Sequence, residues 1–134
     1  MTIESAAEFI RLRYSDEPAD YRRAAGEEAA PGVWDDVIRD YPDARVWVAQ
    51  NKTVPVEILE RLAVDTDPRV RHMVAMKRKL TPQILNALAS DSDETVRIRV
   101  VMNKKPSKDI LERLARDPSE RVRVAAIARL GDLE

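Results

Sequence analysis

The chain repeats itself with a period of 26 residues over most of its length, and this period limits the folds open to it. The string VRHMVAMKRKLTPQILNALASD, at 70–91, recurs with changes as VRIRVVMNKKPSKDILERLARD, at 96–117. The aligned columns are Ile58, Ile84 and Ile110; Leu59, Leu85 and Leu111; Leu62, Leu88 and Leu114; Ala63, Ala89 and Ala115; Asp65, Asp91 and Asp117; and Arg45, Arg71, Arg97 and Arg123. Repeats of this length with no strand pattern predict an α-solenoid, in which each repeat packs mainly on its neighbours.

Each repeat contains two helical patterns. The first, helix A, carries apolar residues at positions i, i+1, i+4 and i+5, which form one stripe on a helix. Thr81 and Pro82 supply the N-cap and the first residue of one such helix. Helix B, as at 70–76, is shorter and more apolar, and is either a short α-helix or partly 3₁₀. The predicted fold class is therefore all-α, with about five helix pairs at 4–26, 31–51, 55–77, 81–103 and 107–129.

A single repeat domain is predicted for 1–134, because the length suits one domain. Residues 1–42 keep the pattern weakly and are interpreted as degenerate N-terminal capping repeats. Residues 43–129 hold the regular repeats, and 130–134 form a tail. A degenerate first repeat is typical of solenoids, because a terminal repeat has one face without a neighbour.

The segment NKTVPVEILERLAVDTDPRVRHMVA, at 51–75, resembles the leucine-rich repeat variant motif. The shared marks are an Asn, a Pro a few residues later, a Leu-x-x-Leu-Ala helix, an Asp, and then Val-Arg with Val-Ala. The resemblance covers 43–129, extends to HEAT-type repeats, and implies a right-handed α-solenoid with an interaction role rather than a reaction. The chain departs from the family in its slightly longer repeat, and in Lys77, which interrupts the column of Asn51 and Asn103. It also lacks the cysteine-rich cluster of some members.

The composition excludes several classes of site. The net charge of −1 argues against a dedicated DNA-binding module, which is usually strongly basic. The absence of cysteine excludes disulfides, thiolate zinc sites and iron–sulfur clusters, and fits a reducing cytosol. The single histidine, His72, replaces an apolar residue in its column and is expected near the edge of the core. Neither a secretory signal nor an apolar stretch of membrane-spanning length is visible.

Charged residues recur at the turns. In three repeats an Asp precedes an Arg by six residues, which we interpret as a repeated structural bridge rather than a catalytic group. Acidic turns follow each helix A, so the repeats predict an acidic and a basic edge. This segregation fits either helix-end electrostatics or the docking of a charged partner. The basic turns that follow each helix B are Lys52; Lys77, Arg78 and Lys79; and Lys104 and Lys105.

Two columns vary in residue type while the core columns do not. They read Trp47, Met73, Arg99, Ala125 and Gln50, Met76, Met102, Ala128. Such variation indicates either irregular filling of the core or an adaptable binding surface, for which methionine is well suited. The candidate partner-binding residues are Trp47, Gln50, Met73, Met76, Lys77, Arg78, Lys79, Arg99, Met102, Asn103 and Lys104.

These patterns predict a non-enzymatic protein–protein interaction module that presents a solenoid surface. One alternative is an immunity-type inhibitor of a toxin. Another is a nucleic-acid-binding HEAT-like protein or a DNA glycosylase-like enzyme, which needs an aromatic pocket beside a carboxylate. Trp34, Tyr41 and Trp47 are the aromatic candidates, although Trp34 also fits a core column. We expect a protein partner, with nucleic acid disfavoured; no membrane, metal or cofactor; and a cytoplasmic monomer or weak oligomer.

Overall fold

The computed structural model describes residues 1–104 and 106–133, and this part of the chain is mostly helical. Its ten α-helices confirm the all-α prediction. Their bounds are α1 Ala6–Arg13, α2 Pro18–Gly26, α3 Val33–Asp40, α4 Arg45–Gln50, α5 Val56–Leu62, α6 Pro68–Ala75, α7 Pro82–Ala89, α8 Glu94–Val101, α9 Lys108–Leu114 and α10 Glu120–Asp132. The helices follow one another along the chain within the five segments that the period predicts, except that α10 continues to Asp132.

Helix B is a proper α-helix in the regular repeats, since α6 and α8 are each eight residues long. A single 3₁₀ turn, Pro42–Ala44, precedes α4. One element was not expected from the sequence: β1, Thr2–Ile3, pairs in parallel with β2, Glu28–Ala29. Strands of two residues are too short to show an alternating hydrophobic pattern, so periodicity could not reveal them.

The chain divides into two compact units, which we call the N-terminal unit (Met1–Leu62) and the C-terminal unit (Ala63–Glu134). The core of the N-terminal unit is built around Phe9, whose ring meets the ring of Trp34 edge to face at 5.1 Å between centroids. Trp34 is buried, as its column predicted. Gly32 precedes α3 with φ of 83°, a backbone conformation that residues with a side chain rarely adopt.

The core of the C-terminal unit consists of the repeated apolar columns. Each fully buried Leu or Val side chain stabilises the fold by about 1.5–3 kcal/mol relative to an exposed one. The side chains with at most 1% exposure in this unit are Val70, Val74, Ala75, Leu88, Val96, Val100, Val101, Leu111, Leu114, Val122 and Ala126. Leu88, Leu111 and Leu114 of the period-26 columns lie in this core, as do Val70 and Val74 of the apolar helix B predicted at 70–76.

Four helices of the C-terminal unit, α6 to α9, begin with a side-chain cap, whereas α10 does not. The Thr81 hydroxyl accepts a hydrogen bond from the Ile84 amide at 3.2 Å, and Ser107 accepts one from Ile110 at the same distance. The carboxylate of Asp93 caps α8 by accepting from the Thr95 amide at 2.8 Å. These side chains satisfy amide donors that have no partner within the helix.

Candidate functional site

The Arg and Asp columns form a repeated structural bridge in the C-terminal unit. Arg71 donates from Nε and Nη2 to the Asp91 carboxylate at 2.7 and 3.2 Å, and from Nη1 to the Asp65 carbonyl oxygen at 2.7 Å. Arg97 makes the same three contacts one repeat later, with the Asp117 carboxylate at 2.8 and 3.1 Å and the Asp91 carbonyl at 2.7 Å. Each arginine therefore holds the turn of its own repeat and pairs with the carboxylate of the next.

These four side chains, Arg71, Asp91, Arg97 and Asp117, will be called the paired cluster. Its carboxylates are only 5% and 4% exposed. Each also accepts a hydrogen bond at 2.9 Å from a backbone amide two residues later. Carboxylates bound in this way have little capacity left for a substrate, which supports a structural role.

The Asn column is also structural. Asn51 is fully buried, and its amide nitrogen donates to the carbonyl oxygens of Ala24 and Glu27 at 2.7 and 3.0 Å. Asn103 is 5% exposed, and its amide nitrogen donates to the Lys77 carbonyl at 2.8 Å. The structure thus places Asn103, a candidate partner-binding residue, in the interior, because its amide joins two successive helix ends of the C-terminal unit.

Most of the other candidates from the C-terminal unit converge on one surface. A depression of about 420 Å³ lies where the C-terminal ends of α6 and α8 come together. We call it the basic depression. It is lined by Ala75, Met76, Lys77, Arg78, Arg99, Met102, Asn103 and Lys104, of which all but Ala75 were predicted. Met76 and Met102 are 47% and 56% exposed, so the two thioether side chains offer apolar surface to solvent.

The charges of the basic depression are not compensated by its own lining. Its described lining residues include four cations and no Asp or Glu. Arg99 is partly buried, with its Nε inaccessible to solvent, and no residue in the described part of the chain accepts a hydrogen bond from it. Burial also lowers the pKa of Lys77, because desolvation disfavours its ammonium form. Local positive charge is therefore held here in a partly desolvated setting.

The remaining candidates do not line this depression. Met73 is partly buried on α6, and Lys79 is exposed on the turn that follows it. Gln50 is exposed and Trp47 partly buried, both in the N-terminal unit. Of the basic turns, Lys105 lies outside the described residues.

The ring of Trp47 contacts Arg13, a contact that the column of Trp47 does not predict. The guanidinium carbon of Arg13 lies 3.5 Å from the centroid of the Trp47 ring, which is a close cation–π contact. The Nε of Arg13 is buried without a hydrogen-bond acceptor among the described residues. The Trp47 ring thus stabilises the Arg13 guanidinium within the N-terminal unit. A period-26 comparison misses this contact because Arg13 lies in the degenerate first repeat.

The aromatic and acidic group suggested for a nucleic-acid enzyme is largely engaged in packing and ion pairs. Trp34 is buried against Phe9, and Arg39 holds Asp36 and Asp40 at 2.9 and 3.0 Å. This contact holds the pKa of Asp40 below its ordinary value. A second depression, of about 250 Å³, reaches Trp34 but is also lined by two carboxylates, Glu28 and Asp35. That lining is unfavourable for a polyanion.

The described residues contain no group of three or more His, Asp or Glu side chains placed to hold a metal ion. Within the same residues, no helix combines the length and apolar character needed to cross a membrane. Comparison of the chain with protein-family models, with curated proteins and with solved structures gave no match.

Proposed function

We propose that this chain is a non-enzymatic protein-interaction module, and that the basic depression is its docking surface. The observation that carries the proposal is Arg99, a partly buried arginine without a hydrogen-bond acceptor among the described residues, in a depression that also contains two exposed methionines. Arginine and methionine are enriched in protein–protein interfaces. A flexible thioether adapts to a partner's surface, and an arginine supplies a directional anchor.

The proposed scaffold is a right-handed α-solenoid of five helix pairs. The ten helices in order, the repeated arginine–aspartate bridges and the resemblance to leucine-rich repeat variant proteins support this arrangement. In such a scaffold the recurring columns stabilise the stack, so positions that vary between repeats are free to meet a partner. Met76, Arg99 and Met102 are positions of that kind.

Capture from an extract of the source cell tests the proposal. The wild-type chain is compared with the double variant Met76→Ser and Met102→Ser, and with Val64→Ser as a matched control. Val64 is 73% exposed in the same unit and does not line the basic depression. We expect wild type and control to retain one partner protein, and the double variant to lose most of it. Surface changes of this kind alter stability by only about 0.5 kcal/mol or less, which urea unfolding verifies.

The same assay separates the alternatives. Equal retention of the partner by all three chains would show that the basic depression is not the docking surface. Capture of a toxin whose activity falls on binding would identify the immunity-type role. Retention of nucleic acid, lost steeply with rising salt, would replace the protein-binding proposal by the nucleic-acid one.

A further inference from the structure

Arg99 differs in its hydrogen bonding from four other arginines of the C-terminal unit, which are Arg71, Arg97, Arg123 and Arg129. Arg71 and Arg97 bind carboxylates and carbonyls, and Arg129 donates to the Val101 carbonyl at 2.7 Å. Arg123 donates to the Asp117 carbonyl at 2.8 Å. Arg99 alone among these five has no acceptor in the described part of the chain.

Arg13 offers an informative parallel in the N-terminal unit. Its Nε is likewise buried without an acceptor, but its guanidinium rests on the face of Trp47. The negative face of the indole ring stabilises that cation. No aromatic residue lines the basic depression, so Arg99 has no equivalent support there. A partly desolvated guanidinium without a counter-charge is costly, and an anionic ligand would remove that cost.

The surroundings of Arg99 indicate the chemistry of the ligand. The planar guanidinium fork matches a carboxylate, with which it forms two parallel hydrogen bonds. Lys77, Arg78 and Lys104 add positive charge around the same depression. Met76 and Met102 expose apolar surface beside these charges, which suits an apolar side chain next to the acidic one.

We propose that the basic depression binds an acidic peptide segment, with a carboxylate on the Arg99 guanidinium and a neighbouring apolar side chain between Met76 and Met102. This inference rests on the proposed function and specifies its partner. A single-stranded nucleic acid is a poorer fit, because its binding normally relies on aromatic side chains that stack on the bases, and the described lining has none.

Fluorescence anisotropy with the full chain at low ionic strength tests the inference. The probes are a short labelled peptide of alternating glutamate and leucine, its glutamine counterpart, and a short labelled oligothymidylate. We expect the glutamate peptide alone to bind well. Arg99→Gln should weaken this binding by about tenfold or more, because a charge-assisted hydrogen bond is lost. Arg99→Lys should also weaken it severalfold, because the lysine keeps the charge but loses the fork.

Arg11→Gln is the matched control, since it removes the same charge from an exposed position of the N-terminal unit. We expect it to change the affinity by less than about twofold, because Arg11 does not line the basic depression. Urea unfolding of Arg99→Gln should show a stability at least equal to that of wild type, because the substitution removes a partly desolvated charge that has no counter-charge. A shift of the Arg99 Nε–H resonance on addition of the glutamate peptide would place the carboxylate at this side chain.

Several results would overturn the inference. Equal weakening by Arg99→Gln and Arg11→Gln would indicate general charge attraction, and absence of glutamate-peptide binding would remove the proposed ligand. Oligothymidylate binding with the same dependence on Arg99 would indicate a nucleic acid instead. If Arg99→Gln still captures the cellular partner while the methionine double variant does not, this inference fails and the proposed function stands.

Discussion

The C-terminal unit uses its arginines in two different ways, and α8 carries one of each kind. Arg97 belongs to the paired cluster, where its guanidinium holds the Asp117 carboxylate at 2.8 and 3.1 Å. Arg99, two residues later, lines the basic depression and has no acceptor in the described chain. The column of Arg97 is invariant across four repeats, whereas that of Arg99 also contains Trp, Met and Ala. Recurrence therefore accompanies a structural contact, and variation accompanies an unsatisfied group.

The strongest test of the paired cluster is Asp117→Asn. The change keeps the shape of the side chain but leaves the Arg97 guanidinium, which is 13% exposed, without its counter-charge. Removing one member of a buried pair costs about 3–5 kcal/mol. We expect a loss of this size in the free energy of unfolding, measured in urea. A loss below about 1 kcal/mol, typical of exposed ion pairs, would show that the cluster contributes little to the fold.

Asn103→Ala tests whether Asn103 stabilises the fold or binds a partner. The sequence suggested a partner contact, but the buried amide donates to the Lys77 carbonyl. Loss of this donor removes a part-buried hydrogen bond, at a cost of about 1–3 kcal/mol. Urea unfolding should show this loss. Unchanged stability combined with lost partner capture would instead support the binding role.

Arg123→Met tests whether the arginines of this column stabilise the fold mainly through their carboxylate contacts or through their carbonyl contacts. Arg123 keeps the carbonyl contacts, to Asp117 at 2.8 Å and Pro118 at 3.0 Å, but no carboxylate of the described chain pairs with it. We expect a loss of about 1 kcal/mol, the usual net contribution of a hydrogen bond. A loss as large as that of Asp117→Asn, in the same urea experiment, would assign the stabilisation to the carbonyl contacts.

The sequence predicted the helices and core of the regular repeats because both depend on local patterns. Ile84, Leu85 and Leu88 recur at helical spacing, and all three are buried on α7. The Asp–Arg link was predicted as structural, but Arg71 reaches the carboxylate of Asp91, twenty positions away in the following repeat. Such a pairing depends on how successive helices pack, which spacing within one repeat does not specify.

The candidate site was also predicted only in part, because it too depends on contacts that a comparison of columns does not specify. Variation of residue type within a column led to Met76, Arg99 and Met102, and the structure places these three residues in one depression. Asn103 was included among the candidates as well, although its column also contains Asn51 and is interrupted only by Lys77. The comparison of columns also missed the contact of Arg13 with Trp47, since the first repeat has too few matching positions to align.

The smallest effect is expected from pH, through Lys77 in the basic depression. Burial holds the pKa of Lys77 below that of an exposed lysine, so between these two pKa values the folded chain binds fewer protons than the unfolded chain. Stability should therefore rise with pH across this window. Urea unfolding of wild type against Lys77→Gln isolates this contribution.

An acidic peptide bound in the basic depression should reverse the shift. A carboxylate near Lys77 favours the ammonium form, so the glutamate–leucine peptide should raise the pKa of Lys77 towards its ordinary value. The chemical shift of the Lys77 side chain, followed through alkaline pH with and without peptide, measures this change. Arg99→Gln should abolish the peptide's effect, because the carboxylate then loses its anchor. If the peptide raises the pKa equally in both chains, it is held near Lys77 without Arg99, and the two arginines of α8 would not differ in the proposed way.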